Sequence, residues 1–461
     1  MIPLTDDYLQ RLLQTFLTLR TAKEYWREGE IYWGVKRPDA DSVAAHTCCV
    51  AQIALLLADE VREAKPGLKL DIDKVVKIPL IRHMPKSITG DTSYAVRIMA
   101  EEEFRLLEVE AFNLLTRDLS ISCRDEWQEL FQEYTSLRGG NSLTSTEARI
   151  ALFADGLDAW MQALSFSHTW MPAHEEYNKR VYESLKGDSN LHDGLAQLFR
   201  QASTMLKGRQ IGPKRPHGDI VGIDVRAFLQ NLSDRLAARF QPASSQVMQK
   251  IQLLKLLQTY LTLQSAKELG RKGYIYFGFK RAESDSIAAH MCCVAWIALY
   301  LAEELNRLDA SLKLNVGRAI SIGLVHDMPE AITGDIGFAV KLIDKNNLQS
   351  LEEKGFNRLI ENLCPSSQKR LLDLLGDYNS CNSTEARVAL FADGLDAWMQ
   401  VLSVPYTWMP AHEEYNKLVY EKLKGDNKVK DDLAELFRYA SNMLRSRQIG
   451  PIGVPRRSHS F

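Results

Sequence analysis

Hydrophobic residues recur along this chain at intervals of three and four, the spacing of one face of an α-helix. Residues 288–305 carry Ala, Val, Ile or Leu at almost every position, which is typical of a helix buried on all sides. Ser383 or Thr384 suits the N-cap of another apolar helix that runs to about Leu402. Alternating strand patterns are scarce, and Tyr274-Ile-Tyr-Phe is the one short candidate. The pattern predicts an all-α fold.

The same sequence pattern occurs twice along the chain. Residues 41–46 (Asp-Ser-Val-Ala-Ala-His) return at 285–290 as Asp-Ser-Ile-Ala-Ala-His. Residues 146–162 return at 384–400 with one substitution. Because a repeat of this length indicates duplicated structural units, we predict two fused copies of one helical bundle.

We place the first copy at residues 1–213 and the second at 255–461. Between them, residues 214–254 begin Lys-Arg-Pro-His-Gly and are predicted to form a linker. Apolar residues near 224–240 keep helical spacing, so the linker is expected to carry a helix of its own.

Composition excludes several classes of protein. The chain has 461 residues, 45 % hydrophobic and 25 % charged, with a formal net charge of −2. That balance is ordinary for a globular protein and argues against nucleic-acid or membrane partners. We see no signal segment at the start and no apolar run near the ~20 residues of a membrane span.

The cysteines indicate a reducing compartment. Their number is seven, and four of them form the adjacent pairs Cys48-Cys49 and Cys292-Cys293. An odd count with adjacent pairs is not a disulfide framework, so we expect a cytoplasmic protein. The pairs are interpreted as small core residues. The alternative is that Cys293 is a metal ligand, three residues after His290.

Residues 323–335, Gly-Leu-Val-His-Asp-Met-Pro-Glu-Ala-Ile-Thr-Gly-Asp, carry the candidate chemistry. His326 and Asp327 end an apolar run, and Glu330 follows about one helical turn later. Imidazole and carboxylate together suit a divalent metal such as Zn, Mn, Fe or Co. In the same copy, His290 opens the long apolar helix, and Asp393 lies on the apolar face of another helix. A carboxylate buried there needs a partner or a metal, and Asp396 competes with Asp393 for this role.

The order His…His-Asp…Asp resembles that of the HD-domain metal-dependent phosphohydrolases, most closely the bacterial 5′-deoxynucleotidase branch. In that branch, Glu lies three residues after the Asp, followed by Thr-Gly-Asp and Val-Lys; here these positions are Glu330, 333–335 and 340–341. The resemblance covers residues 256–400 well. It implies two tandem HD-domain helical bundles. It also implies one divalent metal (Mn, Co, Zn, Fe or Mg) bound by His290, His326, Asp327 and Asp393.

The resemblance also assigns roles around the metal. Glu330 and Asp335 are expected to be catalytic, and Lys341 is expected to bind the substrate phosphate. The family's Arg-Trp pair ahead of the first His is absent, and its nearest equivalents are Gly273-Tyr274, with Arg271 and Lys272 beside them. Selectivity for deoxyribose therefore does not carry over.

The first copy has lost part of this set. We match Met84 to Asp327 and Lys86 to Glu330, and note that His46, His83, Asp91 and Asp155 remain. A thioether is a poor ligand for a hard ion, and an ammonium group repels a cation. We predict that this copy binds no catalytic metal, with Lys86 free to pair with Asp155. Its role is structural, as the fused equivalent of a dimer partner; a regulatory role, with Lys86 holding a nucleotide phosphate, is the alternative.

The favoured function is removal of phosphate from nucleotides, (deoxy)nucleoside 5′-monophosphates above all. Release of triphosphate from a dNTP, cleavage of pyrophosphate from an alarmone, and non-catalytic nucleotide binding are the alternatives. A di-iron site would add histidines, and none lies between His326 and Asp393. We expect a small-molecule nucleotide as partner and the halves to pack as a pseudo-dimer, with further oligomerisation open. His174 and His412 lie in identical segments of both copies, which favours packing or helix capping over catalysis.

Overall fold

The computed structural model describes most of the chain, and the structural statements that follow concern that part. The described residues are 5–32, 34–92, 96, 99–138, 145–166, 171–187, 189–208, 243–276, 278–280, 283–336, 345–404, 409–425, 428–446 and 449–452. The linker helix predicted near 224–240 and the predicted substrate residue Lys341 lie outside them.

The first copy is built from helices that follow one another through short connections. Its α-helices are α1 (Asp6–Arg20), α2 (Glu28–Tyr32), α3 (Val43–Ala64), α4 (Ile72–His83), α5 (Lys86–Thr89), α6 (Glu101–Thr116), α7 (Ile121–Arg138), α8 (Thr146–Ser165), α9 (Met171–Leu185) and α10 (Asn190–Lys207). Short 3-10 turns at Thr21–Lys23 and Arg37–Asp39 complete the copy within the described ranges.

The second copy repeats this order. Its helices are α11 (Ala243–Glu268), α12 (Lys272–Tyr276), α13 (Ile287–Leu308), α14 (Val316–Val325), α15 (Glu330–Thr333), α16 (Lys345–Ile360), α17 (Pro365–Ser380), α18 (Thr384–Ser403), α19 (Met409–Leu423) and α20 (Lys428–Arg445). The all-α class and the tandem duplication predicted from the sequence are confirmed. Helix α11 runs across the predicted boundary at residue 255, so the domain limits stay a prediction.

The strand candidate at Tyr274 was wrong. Residues Lys272–Tyr276 form the short helix α12, and extended pairing in the described chain is limited to isolated bridges, Trp26 with Ser42 and Gly270 with Ser286. The helical turn buries the ring of Tyr274 against Phe279, with ring centroids 4.9 Å apart, and leaves Ile275 exposed. This segment is therefore apolar because a short helix buries an aromatic ring here, and it does not form a strand.

The expectation that no segment is long and apolar enough to span a membrane was also wrong. Helices α3 and α13 meet both conditions, each with 22 residues. In both, 94 % of the most apolar window is buried inside the protein. The two helices are therefore core elements, as their near-continuous apolar sequence predicts.

Helix N-caps are set by serine side chains in both copies. Ser42 accepts a hydrogen bond from the Ala45 amide at the start of α3, and Ser286 accepts one from Ala289 at the start of α13. Ser383 accepts from Ala386, which confirms the predicted start of α18. Such caps satisfy backbone donors that a helix start leaves unpaired. By fixing where α3 and α13 begin, they also fix the positions of His46 and His290 near the two helix starts.

The two copies contact each other through equivalent residues of α3 and α13. Gln52 on α3 donates a hydrogen bond from Nε2 to the carbonyl of Leu324, at 2.7 Å. Trp296, the repeat equivalent of Gln52, donates from Nε1 to the carbonyl of Leu80, at 3.1 Å. Since each donor bonds the equivalent carbonyl of the other copy, the contact follows an approximate twofold relation.

The last helix of each copy is fixed by a tryptophan. Trp160 on α8 donates from Nε1 to the carbonyl of Ser203, and Trp398 on α18 donates to that of Ser441, both at 3.0 Å. Both indoles are nearly fully buried. The two tryptophans thus occupy equivalent places, as the repeat predicts.

Removing residues 1–213 is expected to make the second copy self-associate. Trp296 and Tyr300 of α13 are fully buried and donate hydrogen bonds to carbonyls of the first copy. Exposing each such side chain costs about 1.5–3 kcal/mol, and a large apolar patch promotes association. Light scattering of the truncated protein should show dimers or aggregates. A truncated copy that is monomeric and as stable as the full chain would contradict the structural role of the first copy.

Candidate metal centre

His290 lies in the first turn of α13, with its side chain fully buried. Its Nδ1 is 2.6 Å from Oδ2 of Asp396. Because an ionised carboxylate only accepts hydrogen bonds, we assign the proton to Nδ1, which leaves the Nε2 lone pair free for a metal. Arg271 also lies 3.0 Å from Nδ1. Because Nδ1 carries the proton in this assignment, it cannot accept a hydrogen bond from the guanidinium group.

His326 is the C-cap residue of α14, and its ring is fixed in the same manner. Nδ1 donates to the carbonyl of Gly323, at 2.8 Å, so Nε2 again carries the lone pair. The Nε2 atoms of His326 and His290 lie 3.3 Å apart. Gly323 contributes by its lack of a side chain, since a Cβ there would lie 3.3 Å from the backbone of Ala295 on α13. This close helix packing brings the two imidazoles together.

Asp393 extends from α18 towards the same point. Its Oδ1 lies 3.1 Å from Nε2 of His290, and its Oδ2 accepts a hydrogen bond from the Tyr378 hydroxyl at 2.6 Å. Burial alone would raise the pKa of Asp393, but the neighbouring side chains of His290, His326 and Arg271 outweigh it and hold the pKa well below the usual range. Asp393 is therefore ionised and suited to bind a cation.

Asp327 borders the group from the other side. Its Oδ2 is 3.3 Å from Nε2 of His326 and 3.7 Å from Nε2 of His290. Burial opposes its ionisation, yet the neighbouring side chains of His326, His290 and Arg271 lower the pKa of Asp327 below the usual range.

Three of the four predicted ligands thus form one compact group, and the fourth lies beside it. Ligand atoms of His290, His326 and Asp393 all lie within 4.8 Å of one another. Two imidazole nitrogens with one or two ionised carboxylates fit a borderline divalent ion such as Zn²⁺, Mn²⁺ or Fe²⁺. Asp396, the competitor for Asp393, instead bonds the far nitrogen of His290 and supports that ligand from behind.

The predicted catalytic residues lie on the segment after His326. Glu330 is buried at the start of α15. Gly334 follows this helix with φ of +72°, a conformation that favours glycine. The turn directs Asp335 to the start of α12, where its carboxylate accepts a hydrogen bond from the Gly273 amide at 2.8 Å.

A cavity of about 100 Å³ lies beside the metal group. Its wall includes Gly394 and Trp398 of α18, the helix that carries Asp393. The remaining lining residues are Arg271, Gly273, Tyr274, Asp335, Ile336, Ala397, Val401, His412, Tyr415 and Asn416. Arg271, which lies 3.0 Å from Nδ1 of His290, links the predicted metal group to this space, and Asp335 lines the same space.

Several residues at the site were not found by sequence reasoning. Tyr378 and Tyr415 both direct their hydroxyls to Oδ2 of Asp393. No spacing in the sequence connects α17 or α19 with α18, so this signal appears only in the fold. His412, interpreted as a packing residue, lines the cavity; it is buried, and burial lowers its pKa to about 4.

The predicted match between Met84 and Asp327 was wrong. Leu80 is equivalent to Leu324 and no gap follows, so Arg82, His83 and Met84 occupy the positions of His326, Asp327 and Met328.

The first copy nevertheless brings two histidines and an aspartate together. Ligand atoms of His46, His83 and Asp155 also lie within 4.8 Å of one another. Lys86, which was predicted to pair with Asp155, forms an ion pair with Asp91 at 2.6 Å. Burial of His83 lowers the pKa of its imidazole, and the nearby charge of Lys86 lowers it further. Met84 directs its sulfur towards the Tyr300 hydroxyl of the second copy, 3.9 Å away.

A second difference between the copies lies at the cavity. Glu30 occupies the position of Tyr274 and forms an ion pair with Arg27, the equivalent of Arg271. A buried carboxylate here repels a phosphate and occupies the arginine that would bind it. The first copy therefore differs from the second at both the metal and the cavity side of the site.

Comparison with known proteins agrees with this arrangement. A family model described as HD domain matches residues 20–193 and 263–430, once in each copy. The chain is 30 % identical over 147 residues to the 5′-deoxynucleotidase HDDC2 of Homo sapiens, which is 32 % of this chain and 65 % of that protein. For the Xenopus laevis protein of the same name, the identity is also 30 % over 147 residues, covering 32 % of this chain and 68 % of the relative.

A solved structure of a protein from Pyrococcus horikoshii OT3 is 24 % identical, with a TM-score of 0.33, and covers 41 % of this chain and 99 % of its own. The alignment with the human 5′-deoxynucleotidase HDDC2 covers 65 % of that protein, which is just under two thirds of its length. The family model, in contrast, matches well over half of the present chain. The protein therefore belongs to the HD domain family, with two tandem copies of the domain.

Proposed function

We propose that the second copy is a metal-dependent phosphohydrolase that removes phosphate from nucleotides, with (deoxy)nucleoside 5′-monophosphates as substrates. The observation that carries this proposal is the group formed by His290, His326 and Asp393, with Asp327 beside both imidazoles. It gains support from membership of the HD domain family and from relatives that bear the name 5′-deoxynucleotidase.

In this proposal, His290, His326, Asp327 and Asp393 hold one divalent ion. Such an ion, when bound, polarises a phosphoryl oxygen and lowers the pKa of a bound water to about 7. The protein's part is to fix the ligands. The carbonyl of Gly323 and the carboxylate of Asp396 set the tautomers of the two histidines, and the Tyr378 hydroxyl orients Asp393.

The remaining polar residues handle protons and charge. Glu330 is proposed to take or give the proton at the nucleophile or leaving oxygen, and Asp335 to orient water or a leaving hydroxyl. Lys341, outside the described residues, is proposed to offset phosphate charge. Arg271 lies between the metal group and the cavity, where its guanidinium can bind a phosphate.

The first copy is proposed to act as the fused equivalent of a partner subunit, and we expect no catalytic metal there. The cellular location is proposed to be the cytoplasm, since all seven cysteines are buried and free.

Replacing a proposed ligand of the second copy should remove the bound metal, whereas replacing a histidine of the first copy should not. The unmodified protein is expected to bind about one ion per chain, because the set in the first copy is incomplete. His326→Ala should lose this ion in elemental analysis after dialysis, whereas His83→Ala, which removes a buried histidine of the first copy, should retain it. Full metal content in His326→Ala would contradict the proposed ligand set. A content near two ions per chain in the unmodified protein would contradict the predicted asymmetry.

Replacing the proton-transfer residue should abolish turnover and preserve binding. Glu330→Gln keeps the shape of the side chain but removes its acid–base function, so kcat should fall by about 10²–10⁴-fold. Metal content and thermal stability serve as controls, together with Lys86→Gln at the equivalent position of the first copy. If Glu330→Gln hydrolyses substrate at the unmodified rate, Glu330 has no catalytic role.

The substrate class is tested by the product that is released. The purified protein is incubated with nucleoside mono-, di- and triphosphates in the presence of Mn²⁺, Co²⁺, Zn²⁺ or Mg²⁺, and the phosphate species are identified. We expect orthophosphate from 5′-monophosphates. Triphosphate released from a dNTP, or pyrophosphate from an alarmone, would replace the proposed reaction by one of those two. Nucleotide binding without any product would indicate a non-catalytic protein.

A further inference from the structure

A lysine side chain of the first copy extends towards the candidate metal centre of the second copy. Lys23 ends the 3-10 turn that follows α1, and its ammonium nitrogen lies 2.6 Å from Asp285 and 2.7 Å from Asp396, both in the second copy. The Lys23 side chain is 1 % exposed, so water does not screen these contacts. The oxygen of Asp396 that accepts from Lys23 is also the oxygen that faces Nδ1 of His290.

These contacts form a continuous path between the copies. It runs from Nζ of Lys23 through Oδ2 of Asp396 to Nδ1 of His290, and the opposite nitrogen of that ring faces the other ligands. We propose that Lys23 is a positioning residue for the metal centre, so that the site of the second copy is incomplete without the first. This inference rests on the metal centre proposed above.

The physical reason is the need to hold the Asp396 carboxylate in place. The buried carboxylates of Asp285 and Asp396 share one ammonium group, which offsets the cost of burying them together. Without this cation the two carboxylates repel each other, and Asp396 loses a contact that fixes its position. The imidazole of His290 then loses the support that directs Nε2 to the metal.

The segment that carries Lys23 is itself held by the second copy. Arg20, three residues earlier, donates to the side-chain oxygen of Gln400 at 2.6 Å and to Ser403 at 3.0 Å. Gln400 and Ser403 belong to α18, the helix of Asp393 and Asp396. Lys23 is thus anchored to the helix whose carboxylate it supports.

The repeat supplies a matched control. Lys267 of the second copy reaches into the first copy, where its ammonium lies 2.6 Å from Asp41 and 2.8 Å from Asp158. Asp158 in turn lies 2.5 Å from Nδ1 of His46. Lys267 is also 1 % exposed. The two lysines therefore have equal structural roles across the interface, but only Lys23 leads to the complete ligand set.

The experiment compares Lys23→Met with Lys267→Met in the full-length protein. Binding of Co²⁺ and of Mn²⁺, each added alone, is measured by equilibrium dialysis, and the visible absorption of bound Co²⁺ reports the ligand geometry. Both variants should unfold at lower temperature than the unmodified protein, by similar amounts. Lys23→Met should weaken metal binding by about 10–100-fold, the usual effect of losing support behind a ligand, and change the Co²⁺ spectrum. Lys267→Met should do neither, and Lys23→Arg should restore part of the affinity.

The outcomes separate this inference from the proposed function. If the unmodified protein binds neither ion, the metal centre itself is wrong. If it binds metal and Lys23→Met binds equally well, or if both variants weaken binding to the same degree, Lys23 has only a structural role. Should Lys23→Met fail to fold, Lys23→Met with Asp285→Asn is compared with Lys267→Met with Asp41→Asn, since removing one carboxylate from each site reduces the buried excess of negative charge. The same difference in metal affinity is expected between these double variants.

Discussion

Buried carboxylates without a counter-ion cost several kcal/mol each, and both copies of this protein bury two of them next to their first histidine. The counter-ion comes in each case from the other copy, as Lys23 for Asp285 and Asp396 and as Lys267 for Asp41 and Asp158. The exchange of lysines couples three features: the packing of the two copies, the ionisation of the carboxylates, and the orientation of the histidine behind the ligand set. A rearrangement of the interface would disturb all three.

Much of this could be predicted from the sequence because it depends on local patterns. Helical periodicity gave the all-α class, and the repeat gave the tandem organisation. The order of His290, His326, Asp327 and Asp393 indicated residues that the structure brings close to one another. The N-cap at Ser383 was likewise readable, since a serine before an apolar run satisfies free backbone amides.

What the sequence did not provide depends on contacts between distant segments. Tyr378 bonds Asp393 across two helices, and Lys23 bonds Asp396 across 373 positions of the chain. The strand candidate at Tyr274 failed because burial of one aromatic ring outweighs a short apolar alternation. Helix α13 was correctly predicted to be buried on all sides, but its length and apolar composition also meet the conditions for a membrane span, because the two kinds of helix share these properties.

The two copies also differ in a manner that the ligand positions alone do not reveal. In the first copy, His46, His83 and Asp155 lie close together, while Lys86 pairs with Asp91 and Glu30 pairs with Arg27. Two charges that the second copy lacks are thus paired inside the first copy. Both histidines there are buried.

The exchanged lysines bear on how such a chain can change over generations. In a dimer of identical subunits, one gene specifies both sites, so a substitution that alters one alters the other. Fusion removes this link. Residues of the first copy that contact the second copy, such as Lys23, remain constrained by the site of the second copy, whereas Lys86 pairs with Asp91 of its own copy. Sequence change in the first half is therefore expected to concentrate around its own ligand set and to spare the turn at Thr21–Lys23.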